Sequence, residues 1–134
     1  AGNLQSYSII PIITPGYKEQ LVKVSYNQFF IATAPVVFIF CVLPEVSMAK
    51  YSYRGGGMYC LQDATIACAY AQLAIAERGL GSCWVGAFDE TELCKILGLN
   101  IREEIPIAIL PIGYPDDSIE YVRPERVNKI KYSL

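Results

Sequence analysis

Four stretches hold residues whose types and spacing could do chemistry. Arg54-Gly55-Gly56-Gly57 stands ahead of an apolar, helix-like run, where a glycine-rich turn could cradle an anion at a helix N-terminus. No Lys-Ser/Thr follows, as a phosphate-binding loop requires, so a flexible loop tip is the simpler reading. Gly79-Leu80-Gly81 with Gly86 superficially matches GxGxxG, but it lies after a helix and before a strand. A dinucleotide fingerprint needs strand, glycines and helix in that order, which also disfavours a nucleotide or S-adenosylmethionine binder on a doubly wound sheet. Glu103-Glu104 and Asp116-Asp117 are paired carboxylates in polar sequence and read as solvated turns. Phe29-Phe30 directly follow Asn27-Gln28. An aromatic pair beside two carboxamides could line the site of a planar ligand or pack a helix end on the core, and the residues leave both open.

The sequence contains no histidine, which removes Ser-His-Asp and Cys-His catalysis and most zinc sites together. Its five cysteines, Cys41, Cys60, Cys68, Cys83 and Cys94, form no CxxC and fall mostly in apolar stretches. A free thiol there behaves as a small hydrophobe, and unpaired thiols fit a reducing cytoplasm. With neither acid–base machinery nor a metal cluster in view, chemistry on this scaffold has to come from a cofactor.

The elements that must position these residues alternate along the chain. Tyr7 to Ile13 reads as a first strand, stopped by Thr14-Pro15-Gly16, and Tyr17 to Asn27 as a short amphipathic helix. Residues 35 to 42, PVVFIFCV, read as a strand covered on both faces, and 43 to 57 as a long connection. A central helix starts between Met58 and Asp63 and ends at Gly79, which suits the left-handed position after a helix. Ser82 to Gly86 reads as a strand, and Asp89 caps a helix that ends near Gly98, with Leu93, Ile96 and Leu97 inward. Residues 106 to 115 form a buried strand in which Pro111 argues for an edge or a bulge. A weak strand is expected at Lys129 to Tyr132. The order predicts one α+β domain over residues 1–134, with a small α/β-type mixed sheet.

Between Ala64 and Ala76 the central helix carries almost no polar face, so it is expected to be buried on nearly all sides. The chain is 53% hydrophobic and 18% charged, against typical values of roughly 45–50% and 25%. That excess fits a surface covered by a partner. No run approaches the ~20 apolar residues of a membrane-spanning helix, and the first residues lack the pattern of a signal peptide. A net charge of −2 without basic blocks predicts no nucleic-acid role.

At AGNLQSYSII, QDATIACAYAQLAIAERGLGSCWVGAF and ILPIGYP the chain closely resembles the FMN-dependent nitroreductase family. The resemblance runs from Ala1 to about Tyr132. It implies a three-layer fold and a homodimer in which the central helix packs on its symmetry mate, with Ala64, Ala67, Cys68, Ala71 and Ala74 allowing close approach. It implies FMN as cofactor, NAD(P)H as electron donor and a small aromatic or quinone-like acceptor, with hydride carried by flavin N5 and no catalytic side chain required.

The resemblance also implies site residues. Gly86 and Ala87 match the segment whose main-chain N–H faces flavin N5. Asn3 and Gln5 match the PSxxNxQPW segment that meets the flavin from the other subunit, with Ser6-Tyr7 in place of Pro-Trp. Asn27, with neighbouring Gln28, matches a carboxamide on the pyrimidine edge. Arg126, or else Arg123, matches a basic residue that reaches the FMN phosphate. Phe30 stands where some relatives carry a lysine. The family's two initial helices, with their arginine-rich motif, have no counterpart here. The natural polypeptide is therefore expected to extend upstream with at least two arginines, and the 134 residues alone to bind FMN weakly and expose apolar sheet surface. The rival expectation is a non-catalytic or differently specialised dimer of this fold with little or no flavin.

Overall fold

The computed structural model describes residues 2–116 and 118. Arg123, Arg126 and the expected strand at 129–132 lie outside them. Strands β1 (Tyr7–Ile12), β2 (Val36–Val42), β3 (Gly81–Ser82) and β4 (Ile105–Gly113) form one sheet in the order β1-β2-β4-β3. Every pairing among them is antiparallel, so the mixed sheet expected from the strand–helix alternation is corrected. Alternation forces parallel strands only when a crossover returns the chain in the same direction. Here β1 and β2, and likewise β3 and β4, run oppositely, while β2 and β3 run the same way but are separated in the sheet by the antiparallel β4.

The period-two pattern of β2 divides the core. Val37, Ile39 and Cys41 face one side, where they pack with Ile109 and Val85 against helices α1 (Pro15–Val24), α2 (Phe30–Thr33) and α5 (Glu90–Leu97) through Leu21, Val22, Ile31 and Leu93. Phe40 faces the other side with Ala108, Leu110 and Ile112, under Cys68 and Ile75 of helix α4 (Cys60–Glu77). Helices thus cover both faces of the sheet. Lys18 of α1 is buried, and its ammonium donates to the Ala34 carbonyl at 2.7 Å, tying α1 to the end of α2.

The long connection expected at 43–57 is instead helical, as α3 (Pro44–Arg54) followed by one π-helical turn (Gly55–Tyr59). Pro44 occupies the first turn, where its missing N–H costs nothing, and Glu45 complements the dipole. The helix kinks where Tyr51 and Ser52 leave helical geometry. A Cβ on Gly55 would collide with the Ser47 carbonyl, and one on Gly56 would lie 2.6 Å from Met48 Cγ. These glycines permit close packing across the kink, a use that resembles a loop when read one residue at a time.

Other boundaries follow local chemistry. After α4, Gly79 has φ +71°, and the Leu80 and Gly79 amides donate to the Ile75 and Ala76 carbonyls, a Schellman closure. The Asp89 carboxylate accepts from the Glu92 amide at 2.9 Å, and Gly98, at φ +68°, ends α5. The strand expected at Ser82–Gly86 shrinks to Gly81–Ser82 plus a single bridge from Val85 to Ile109. β4 is an interior strand, not the edge that Pro111 implied. The Pro111 carbonyl accepts from the Cys83 amide, so its ring nitrogen also faces β3, where the missing N–H costs the short pairing one reciprocal bond and leaves the β2 ladder untouched.

Among the described residues, the central helix is covered on one side only. Ala64 and Cys68 are buried and Ala67 and Ala71 half-buried, all packed against this chain's own sheet. For the fully buried Ala64 and Cys68 the expected place in a helix–helix seam is therefore corrected, because these small residues let α4 sit close to its own strands, whereas Ala74, expected in the same seam, is exposed. The opposite face leaves Ile66, Tyr70 and Leu73 exposed at 51%, 68% and 67%. Ile9 and Ile13 are exposed at the β1 edge.

Candidate functional site

Two turns meet beside the β3–β4 pairing. The first leaves α1 through Tyr26 and Asn27, both left-handed at φ 54° and 64°, and the Asn27 amide donates to the Val22 carbonyl at 2.9 Å. This is the longer of the two bonds of a Schellman closure, with a tyrosine where glycine is usual, at a strain of about 1 kcal/mol. The second turn, Gly86-Ala87-Phe88, is held at both ends. Val85 exchanges hydrogen bonds with Ile109, and the Asp89 amide donates to the Val24 carbonyl at 2.8 Å. Between these anchors the amides of Gly86, Ala87 and Phe88 have no acceptor among the described residues. Gly86 and Ala87 are exposed.

Gln28 joins the turns. Its Nε2 donates to the Ser25 carbonyl at 3.0 Å and to the Ala87 carbonyl at 3.3 Å. The structure thus brings Asn27, Gln28, Gly86 and Ala87 into one place. The Asn27 carboxamide is exposed and makes no hydrogen bond among the described residues. On the far side of the 28–35 segment, Phe30, Thr33, Pro35, Ser82, Cys83 and Tyr114 help to line an open cavity of about 390 Å³.

Asn3 and Gln5 lie elsewhere in the chain. Both are left-handed (φ 54° and 50°), and with Tyr7, Asp63, Ile66 and Tyr70 they line a shallow pocket on the outer side of α4. Asp63 holds this segment: its carboxylate accepts from the Ser6 hydroxyl at 2.8 Å and the Ser6 amide at 3.2 Å. Burial works to raise the Asp63 pKa, but the Ser6 hydrogen bonds and, after them, the terminal ammonium of this chain work against it, and the carboxyl ends below its ordinary range. Sequence reading missed this anchor. The available signal was a lone charged residue between Cys60 and Ala76, on an otherwise apolar helix.

The five cysteines are unpaired, four buried and Cys83 exposed. Burial pushes the Cys41 and Cys68 thiols up to about 12, far from thiolate reactivity. Among the described residues no group of His, Cys, Asp and Glu could hold a metal ion, and no helix is long and apolar enough to cross a membrane.

The sequence model of the nitroreductase family matches residues 5–114, a span holding every site residue just described except Asn3. The chain belongs to the nitroreductase family. Members of this family are in general oxidoreductase enzymes. A curated protein of Methanocaldococcus jannaschii described as a candidate nitroreductase is 29% identical over 109 residues, covering 81% of this chain and 53% of its own length. The solved structure of B. megaterium NfrA1 superposes with a TM-score of 0.81 at 26% identity, over 98% of this chain and 58% of that one. YdfN of Bacillus subtilis gives a TM-score of 0.84 over 98% of this chain and 79% of its own, but at 15% identity it shows the fold alone. This nitroreductase-family chain spans about half the length of the curated relative that it matches.

Proposed function

We propose that the chain carries the greater part of an FMN-dependent NAD(P)H oxidoreductase site of nitroreductase type, acting on a small aromatic or quinone-like acceptor. The observation that carries this reading is the row of amides at Gly86, Ala87 and Phe88, the first two in exposed residues and all three without acceptors among the described residues, beside the unengaged carboxamide of Asn27. A flavin ring offers a matching edge: N5 accepts a hydrogen bond, N3–H donates one, and O2 and O4 accept. A carboxamide serves both kinds of atom. The donor set fits the group.

FMN, when bound, supplies the hydride-carrying atom between donor and acceptor. The chain's own residues orient and polarise. With FMN bound, the Gly86–Ala87 amides would serve the N5 edge, Asn27 would hold the pyrimidine edge, and the absence of a side chain at Gly86 would admit the ring closely. Arg126, outside the described residues, is assigned to the phosphate by family resemblance.

The reading includes a homodimer. Ile66, Tyr70 and Leu73 form an apolar face that a second copy would cover, and Asn3 and Gln5 stand beside it. In this reading they would reach the partner's flavin rather than their own, as the family resemblance implies. The unpaired thiols support a cytoplasmic setting. The rival reading, a dimer of the same fold with weak or no flavin, is favoured by Phe30, which puts a ring rather than a cation near the site.

The deciding experiment is a titration of the full-length protein with FMN, followed by NAD(P)H oxidation in the presence of a nitroaromatic or a quinone. A yellow protein that turns over supports the proposal. A colourless protein that takes up no FMN overturns it.

A further inference from the structure

We infer that Gln28 is a positioning residue: it clasps the Ala87 carbonyl and so sets the direction of the Gly86–Ala87 amides, instead of donating to the flavin. The inference rests on the flavin reading of this turn, and it reassigns one residue within it.

Gln28 has no side-chain donor left to offer a ligand. A side-chain amide has two N–H donors, and two backbone carbonyls take them, Ser25 at 3.0 Å and Ala87 at 3.3 Å. Both acceptors are carbonyl oxygens, so the donor end of the amide must face them. The Gln28 backbone amide also donates to the Ser25 carbonyl. The residue is thus fastened to its own turn before it reaches across to the other.

The second turn needs such a fastening. Gly86, Ala87 and Phe88 span the gap between the Val85–Ile109 bridge and the Asp89–Val24 hydrogen bond. Within that gap the Ala87 carbonyl is the one backbone group with a hydrogen-bond partner among the described residues, and the partner is Gln28. Fixing this carbonyl fixes the peptide plane after Ala87 and restrains the plane before it, which carries the Ala87 N–H. A donor row aimed in advance stabilises an incoming acceptor without the cost of reorganising on binding. Asn27, whose carboxamide has no partner among the described residues, remains the donor and acceptor of the pair.

The test uses the full-length protein, unaltered and as Gln28→Glu, which keeps the shape but replaces the donor with a carboxylate oxygen. Without FMN, nitrogen-15 relaxation reads the rigidity of the Gly86 and Ala87 amides. Order parameters near ~0.85 in the unaltered protein are expected to fall below ~0.6 in the variant. With FMN, the dissociation constant is expected to rise about tenfold, and the visible absorption of the bound flavin to shift. Gln28→Met, uncharged and without a donor, is expected to repeat both results and decides the matter if the glutamate variant misfolds. Unchanged order parameters overturn the clasp. Weaker FMN binding with unchanged order parameters overturns it in favour of a direct ligand. If the unaltered protein binds no FMN, the flavin reading fails, and the order parameters still decide the clasp.

Discussion

At the scale of single residues, Gly86 separates effects on a ligand from effects on the fold. A Cβ built there lies 3.4 Å from the Trp84 ring nitrogen, an ordinary contact, and the residue is exposed. Gly86→Val should therefore leave the unfolding midpoint nearly unchanged while raising the FMN dissociation constant at least tenfold, read by flavin titration. Full flavin occupancy in that variant would misplace the N5 edge. Tyr26 makes a different case. Its left-handed backbone stores strain that glycine would relieve, so Tyr26→Gly should stabilise the protein by about 1 kcal/mol in urea unfolding. No gain would mean that the ring makes compensating contacts in the full protein.

At the scale of elements, the inner and outer faces of α4 give opposite predictions. Ala71 packs on the sheet, so Ala71→Glu places a charge against Phe40 and Leu110 and should unfold the chain. Tyr70 is exposed on the other face, so Tyr70→Glu should leave the fold intact and return a monomer mass in light scattering. A dimer that survives Tyr70→Glu would move the interface away from this face. The sequence could not separate the two faces, because alanine serves equally well against a strand or against a second helix, and α4 is apolar on both. Boundaries set by local chemistry were legible: the Asp89 cap, the Gly79 and Gly98 closures, and the β2 run. The helix at 44–54 was not, because the close approach that requires Gly55 and Gly56 is to residues eight positions earlier across a kink. Asn27 and Ala87 could be grouped only through family resemblance, since sixty residues separate them and their meeting depends on the Asp89–Val24 and Gln28–Ala87 bonds.

At the scale of the whole molecule, pH should act through the segment that carries Asn3 and Gln5. The folded state holds Asp63 below its ordinary pKa, so the unfolded chain binds that proton more readily. The resulting stability is present above the unfolded value of about 3.9 and is lost as pH falls through the lower folded value. Asp63→Asn should flatten this acid limb in urea unfolding measured from pH 7 down to about pH 3. An unchanged limb would assign acid sensitivity to other carboxyls.

The uneven exposure of the thiols also has a practical consequence. Four of the five cysteines are sealed in the core, while Cys83 opens onto the cavity beside Phe30 and Tyr114. A maleimide offered to the native protein should label one position per chain, with the remaining four reacting only after unfolding, as counted by intact mass. The molecule thus arrives with a single attachment point for a fluorophore, set a few residues upstream of the Gly86–Ala87 turn. Ligand arrival could be followed by its emission, without engineering away any other sulfur.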